Sequence, residues 1–279
     1  MNTRLRWMLA ALLALGLVLT ACGGSGGEDP TEEPTTASGG ESEAPTEAAA
    51  AVETIKEGVL TVCTDSPYPP MEFEKDGEFT GFDIELMRAV AGELGLEVEV
   101  VNTGFDPITS GTALESGQCD IAAASITITP EREQSIAFTE PYFDAEQSLL
   151  VKKDAGIESL DDLEGKSIGV QSGTTGETYA RENDPGASEI RSFDAPGDSF
   201  NALEAGQIDA ILQDLPVNGY RSTKDDSVEV VATYPTDEQY GFAMSKDNTA
   251  LKAAADGALQ ALRDSGAYDE LFKEWFGGA

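Results

Sequence analysis

Apolar residues in this chain fall into short runs of strand length that alternate with stretches of helical spacing. Leu60-Thr-Val-Cys-Thr64 reads as a first buried strand, stopping at Asp65 and the turn Ser66-Pro-Tyr-Pro-Pro70. The segment Gly81-Phe-Asp-Ile-Glu-Leu86 opens a helix, with Asp83 as the expected N-cap and Ile84, Met87, Ala91 and Leu94 on one face. Gly95 ends it. Leu96 to Val101 alternates as a strand, Phe105-Asp-Pro107 opens another helix, and Ile121 to Ser125 is again an apolar run of strand length. A β-α-β-α-β order of this kind predicts a mainly parallel sheet covered on both faces.

The second half repeats the scheme. Ala113-Leu-Glu-Ser-Gly-Gln-Cys-Asp120 recurs as Ala202-Leu-Glu-Ala-Gly-Gln-Ile-Asp209, and each copy reads as a helix end, a glycine cap and a strand start. The echo is either shared capping chemistry or the mark of two α/β lobes whose strand ends face a common cleft. Ser167 to Val170 is a strand, followed by the turn Gln171-Ser-Gly-Thr-Thr-Gly176 and a helix from about Glu177. That turn can grip an anion through backbone N–H groups, but it lacks the lysine and spacing of a nucleotide loop. Tyr142 to Glu146 and Thr236 to Tyr240 look like two crossings between lobes. A strand from Tyr240 to Ser245 and helices over Asn248 to Arg263 and Tyr268 to Phe276 close the chain, with Leu251, Ala255, Leu259 and Leu262 as core.

The stretch with the most chemistry runs from Asp120 to Arg132. Thr129-Pro130-Glu131 reads as a helix start, with Thr129 as N-cap and Pro130 in the first position, so Arg132 is expected in a first helical turn, where a positive charge opposes the dipole. Either Arg132 pairs with Glu131 or Glu133 at the surface, or it awaits a carboxylate together with the Ser125 and Thr127 hydroxyls.

Charge and composition then narrow the function. With 52 acidic and 17 basic residues the formal net charge is −35, which argues against nucleic acid. There is no histidine, which removes Ser-His and Cys-His nucleophiles and histidine metal sites; no metal or cofactor is expected. Arg4 and Arg6 precede the apolar run Trp7 to Leu19, which fits a secretory signal and is short for a spanning helix. From Gly23 to about Val52 the chain is almost entirely Gly, Ser, Thr, Pro, Ala and Glu, without an aromatic or basic residue, as in a solvated tether.

Cys63 and Cys119 raise the question of a disulfide in an exported protein. If Asp65 and Ser125 end neighbouring strands level, the two cysteines stand about 13 Å apart at ~3.3 Å per residue, beyond bridging reach. The bond is therefore not expected unless the strands are staggered.

Taken together, these blocks resemble the polar amino-acid (family 3) extracellular solute-binding proteins of ABC importers. The resemblance spans Leu60 to Gly277 and is carried by Gly81-Phe-Asp-Ile-Glu-Leu86, Asp65 to Tyr68, Ser125 to Arg132, Ser172 to Thr175, Asp214 and Gly266 to Phe276. Leu19-Thr-Ala-Cys22 is similar to a lipobox, which implies a signal peptide over residues 1–21 and a lipid anchor at Cys22; an ordinary secretory signal ending near Ala21 is the alternative. The resemblance implies an α/β, two-lobed type II periplasmic-binding-protein fold with two hinge strands. The expected organisation is a tether over 22–54, one lobe over 55–143 and 239–279, and a second over 144–238. It also implies a non-enzymatic, monomeric receptor on the outer face of the cell membrane that delivers a polar L-amino acid to a permease.

By the same resemblance, Arg132 would clamp the α-carboxylate with Thr127 and backbone groups at Ser125 and Thr175, Thr174 standing beside them, and Asp214 would accept from the α-ammonium. Tyr68 and Phe105 would enclose the aliphatic part, while Asp65 and Gln171 would meet the side-chain end and favour a cation or an amide. Two rival readings are an exported dehydratase acting on cyclohexadienyl acids and a sensory module that reports ligand without transport.

Overall fold

The computed structural model describes residues 52–277. The expected signal segment, Cys22 and nearly all of the expected tether lie outside these residues.

Strand β1 (Val59–Thr64) leads into the small hairpin β2 (Phe73–Lys75) and β3 (Glu78–Thr80), then helix α1 (Phe82–Glu93), strand β4 (Glu97–Asn102), the short helices α2 (Phe105–Thr109) and α3 (Thr112–Glu115), and strands β5 (Ile121–Ala122) and β6 (Ile136–Phe138). The long β7 (Phe143–Lys152) crosses to a second sheet, built from β8 (Ser167–Gln171), α4 (Thr175–Glu182), β9 (Glu189–Phe193), α5 (Pro196–Glu204), β10 (Ala210–Asp214) and α6 (Leu215–Lys224). Strand β11 (Val228–Tyr240) returns beside β7, and β12 (Ala243–Ser245), α7 (Thr249–Ser265) and α8 (Ala267–Phe276) complete the first unit.

The two sheets share one plan. In the first the order is β4-β1-β5-β12-β6, with β1 parallel to β4 and β5 and β12 antiparallel to its neighbours. In the second it is β11-β7-β10-β8-β9, with β8 parallel to β9 and β10 and β7 antiparallel to β10 and β11. Each is a parallel βαβαβ unit extended by strands that belong to the crossings, and so two lobes are formed. The crossing strands pair with each other at Tyr240–Phe143, Gln239–Asp144 and Glu238–Ala145.

The sequence echo has a structural meaning. Asp120 and Asp209 each end the connection that follows a helix, and each turns its carboxylate back onto the lobe's first strand: Thr61 N–H donates to Asp120 and Ser167 N–H to Asp209, both at 2.8 Å. Gly117 and Gly206 take φ of 71° and 69° just before, the left-handed turn that glycine adopts without steric cost.

Three expectations need correction. Asp83 is not an N-cap. The cap position is Gly81, and the first helical donors are satisfied by backbone, Phe82 N–H by the Pro70 carbonyl and Asp83 N–H by that of Met71. Gly81 is required there: φ is 122°, and a β-carbon would lie 2.1 Å from the Met71 oxygen. Asp83 is thereby released to turn its carboxylate inward. Arg132 does not start an α-helix but a single 3-10 turn, Arg132–Gln134, with the Thr129 hydroxyl accepting from Arg132 N–H. So short a turn has little dipole to oppose the guanidinium, and the expected conflict disappears.

Lastly, Cys63 and Cys119 are disulfide-bonded, with Cα atoms 5.6 Å apart. Cys119 is not part of the strand: β5 begins only at Ile121, which faces Val62, and the preceding turn brings Cys119 back over β1. Both cysteines are buried in the packing between β1, β5, α2 and α3.

Candidate functional site

The carboxyl ends of the central parallel strands of both sheets converge, as sites in open α/β sheets do. Asp65 follows β1, Ser125 and Thr127 follow β5, Gln171 ends β8 and Asp214 ends β10. Together with Tyr68, Phe105, Arg132, Thr174 and Thr175 they line one cavity, so all ten residues singled out from sequence are brought together. Glu72, Ala124 and Pro196 line it too.

Arg132 is 8% exposed. Its guanidinium donates to the Thr127 carbonyl at 2.7 Å and, across the cleft, to the Gly173 carbonyl at 3.1 Å, and it lies 5.1 Å from the centre of the Phe105 ring. It takes part in none of the six ion pairs among the described residues, so the surface pairing with Glu131 or Glu133 does not occur. Burial lowers its pKa, against the pull of Asp214 and Glu238. A buried cation hydrogen-bonded only to carbonyls can take up an anion.

Asp214 faces it from the second sheet. Although it precedes α6, its side chain caps nothing; it accepts from the Gln147 amide at 2.6 Å and from the Tyr240 hydroxyl. Burial pushes its carboxyl up to about 6, Glu238 adds to this, and the Tyr240 and Gln147 donors oppose it. Asp65 is also pushed up to about 6 by burial, opposed by the Gln171 amide, which donates to it at 2.7 Å, with Asp106 raising it further. Gln171 and Asp65 lie on opposite sheets, so this contact spans the cleft. Gly173 lets the walls meet: φ is 72°, and a β-carbon would stand 2.6 Å from the Asp106 carboxylate.

Sequence reading missed three contributors. Glu72 is 1% exposed, bonds the Ser125 hydroxyl at 3.1 Å, and is held well above the usual carboxylate range by burial and then by the neighbouring Asp83. Its only sequence signal is an acid directly after the apolar Met71 in a proline-rich turn. Glu238, on the crossing strand β11, accepts from Thr127 at 2.8 Å and Thr175 at 2.7 Å, joining hydroxyls of both lobes. Gln147, on β7, links Asp214 to Glu238. Neither has a local pattern, because crossing strands gather residues far apart in sequence.

Two α/β lobes joined by two strands, with the buried Arg132 guanidinium on one and the buried Asp214 carboxylate on the other lining one cavity, define a two-lobed ligand-binding protein. The chain matches the family model of bacterial extracellular solute-binding proteins, family 3, over residues 60–278, and it belongs to that family. It is 32% identical over 222 residues to the arginine-binding extracellular protein ArtP of Bacillus subtilis, covering 78% of this chain and 86% of that one. It is 32% identical over 272 residues to the ABC transporter glutamine-binding protein GlnH of the same organism, covering 96% and 94%. Among solved structures, an ancestral amino acid-binding protein that is a precursor of cyclohexadienyl dehydratase superposes with a TM-score of 0.74 at 40% identity, over 80% of this chain and 97% of that one. These relatives support the two-lobed type II periplasmic-binding-protein fold.

Proposed function

We propose that the protein is an extracytoplasmic receptor that binds an L-amino acid with a cationic side chain by closing its lobes on it, and delivers it to an ABC import permease. The observation that carries this reading is the cavity shared by Arg132 and Asp214, opposite charges from opposite sheets with no ion pair joining them. A zwitterion supplies both partners at once. Arg132 and Thr127 would take the α-carboxylate, helped by backbone groups at Ser125 and Thr175 beside Thr174, and Asp214 the α-ammonium. Tyr68 and Phe105 would flank the aliphatic part, with Asp65 and Gln171 at its far end.

Side-chain charge follows from the surplus. Asp65 and Asp214 line the cavity with one guanidinium, and burial disfavours the charged form of Glu72 beside them, so a ligand with one net positive charge balances the site better than a neutral amide or an acidic one. The names of relatives that bind arginine, and of one that belongs to an ABC transporter for glutamine, support the transport setting. Attachment to the membrane through Cys22 and a monomeric state complete the proposal, the anchor resting on the lipobox-like Leu19 to Cys22.

Thermal shift with a panel of amino acids, on protein unfolded and refolded to strip carried ligand, tests the reading. Arginine, lysine or histidine should raise Tm, since a ligand at 100 times its Kd adds about 2.7 kcal/mol to native-state stability. A shift by glutamine alone would replace the cationic class with the amide one, and a shift by glutamate or aspartate alone would refute both. Incubation with a cyclohexadienyl acid should show no turnover.

A further inference from the structure

Ser125 sits at the mouth of the short strand β5 with φ of 49°, in the left-handed region that a residue with a β-carbon enters at a cost. Glycine would take this conformation freely, yet the chain carries a serine whose hydroxyl reaches Glu72 in the cavity wall. What holds it is Asp83, 42 residues earlier in the chain: Ser125 N–H donates to Asp83 Oδ2 at 2.8 Å, and the Ser125 hydroxyl stands 3.5 Å from the same oxygen. That oxygen also accepts from the Tyr142 hydroxyl at 2.7 Å, while Oδ1 has no partner among the described residues.

A carboxylate placed inside helix α1, fully buried and in no ion pair among the described residues, is a costly feature for helix stability alone. Its position makes sense for the site. We infer that Asp83 is a positioning residue for ligand binding: its Oδ2 fixes Ser125 in the left-handed conformation in which Ser125 lines the cavity, and ties that conformation to Tyr142, the residue directly before crossing strand β7. The inference rests on the proposed amino-acid site, because Ser125 is one of its walls, but Asp83 itself lies outside the cavity lining. Burial pushes the Asp83 carboxyl up to about 7, and the Tyr142 and Ser125 donors oppose that rise, so the bonds that hold Ser125 also favour the ionised form.

The test is a double-mutant cycle read by calorimetric titration with L-arginine on the parent, Asp83→Ala, Ser125→Gly, and the two combined. Asp83→Ala should weaken binding about tenfold or more, the scale of a left-handed backbone penalty. Adding Ser125→Gly, which takes the conformation without help, should bring affinity back to within about threefold of Ser125→Gly alone. Equal losses from Asp83→Ala in both backgrounds would overturn the inference. If Asp83→Ala does not fold, the combined variant should fold and bind; failure of both to fold overturns it as well. Should the parent bind no cationic amino acid, the proposed function fails separately. The cycle is then read as Tm without ligand: the glycine should raise Tm in the Asp83→Ala background relative to its effect in the parent, and equal effects would refute the coupling.

Discussion

The two lobes have the same strand plan, the same Ala-Leu-Glu-x-Gly-Gln-x-Asp connection and the same aspartate cap on the first strand, yet they differ where β5 and β10 end. Beyond β5 the chain runs on through Ser125 and Thr127 to a 3-10 turn that carries a guanidinium; at the end of β10 it stops on a carboxylate and enters a helix directly. A repeated scaffold therefore carries opposite charges to one cavity from equivalent strand ends. The chemistry lies in the few residues by which the copies diverge, while the shared residues hold strands in register.

Breaking that complementarity should have the largest effect. Arg132→Ala should cost about 2–5 kcal/mol of ligand affinity, since it leaves a buried carboxylate unpaired, and Arg132→Lys should also bind weakly because a point charge cannot copy the fork. Asp214→Asn should differ in kind: the ligand can still dock through its carboxylate, but closing brings less reward. Small-angle scattering with saturating arginine should show compaction in the parent and little in Asp214→Asn; equal compaction would remove Asp214 from the clamp.

The lobes also differ covalently, as Cys63–Cys119 has no counterpart among the described residues of the second lobe. Replacing both cysteines with alanine should lower unfolding free energy by about 2–4 kcal/mol, with amide exchange speeding first in β1 and β5. A loss spread evenly over both lobes would show that they unfold as one unit.

The charge asymmetry predicts a pH profile. Asp65 and Asp214 are raised to about 6 by burial, and a bound cation favours their ionised forms. Arginine affinity should be full above about pH 7 and fall as pH drops through 6, by about tenfold per pH unit for each carboxylate below its pKa. In the ligand-free protein the sign is opposite. Because the folded-state values are raised, these two groups stabilise the fold most at low pH and lose that contribution as pH climbs from 3.8 towards about 6. Titration calorimetry in buffers of different ionisation heat at pH 6 should detect proton release on binding; none would mean that neither group meets the ligand's charge.

The smallest effect sharpens the likeness instead. Asp120→Ala leaves the buried Thr61 N–H without its acceptor and should cost about 1–3 kcal/mol of stability, whereas Asp209→Ala frees an exposed Ser167 N–H that water can satisfy and should cost about 0.5–1.5 kcal/mol. Arginine affinity should stay near the parent's in both. Asp120→Ala should be the larger loss, since its carboxylate also accepts from Ile55 N–H at 2.8 Å and is 7% exposed.

Much of this was legible in one dimension. Strand-length apolar runs, glycine caps and the repeated connection predict two parallel α/β units, because side-chain periodicity and turn chemistry are local properties. Most of the ten candidate residues stand at strand ends and in short turns, where chain order already implies a cleft, whereas their individual roles, and Phe105 altogether, come from the resemblance to the family. The rest depended on which groups the fold brings within hydrogen-bond range. Asp83 has the residue type and place of an N-cap, but Pro70 and Met71 carbonyls satisfy the helix end, so its carboxylate turns to Ser125 and Tyr142. Cys63 and Cys119 are bridged because a turn doubles back where strand counting assumed an extended chain. Glu72 carries only the faint signal of an acid after Met71 in a proline-rich turn and Glu238 carries none; burial in one case, and in the other a crossing strand that meets hydroxyls from both lobes, decide what they do. Periodicity is read residue by residue, whereas desolvation and hydrogen-bond partnership belong to neighbours distant in sequence, and these only the packed chain assigns.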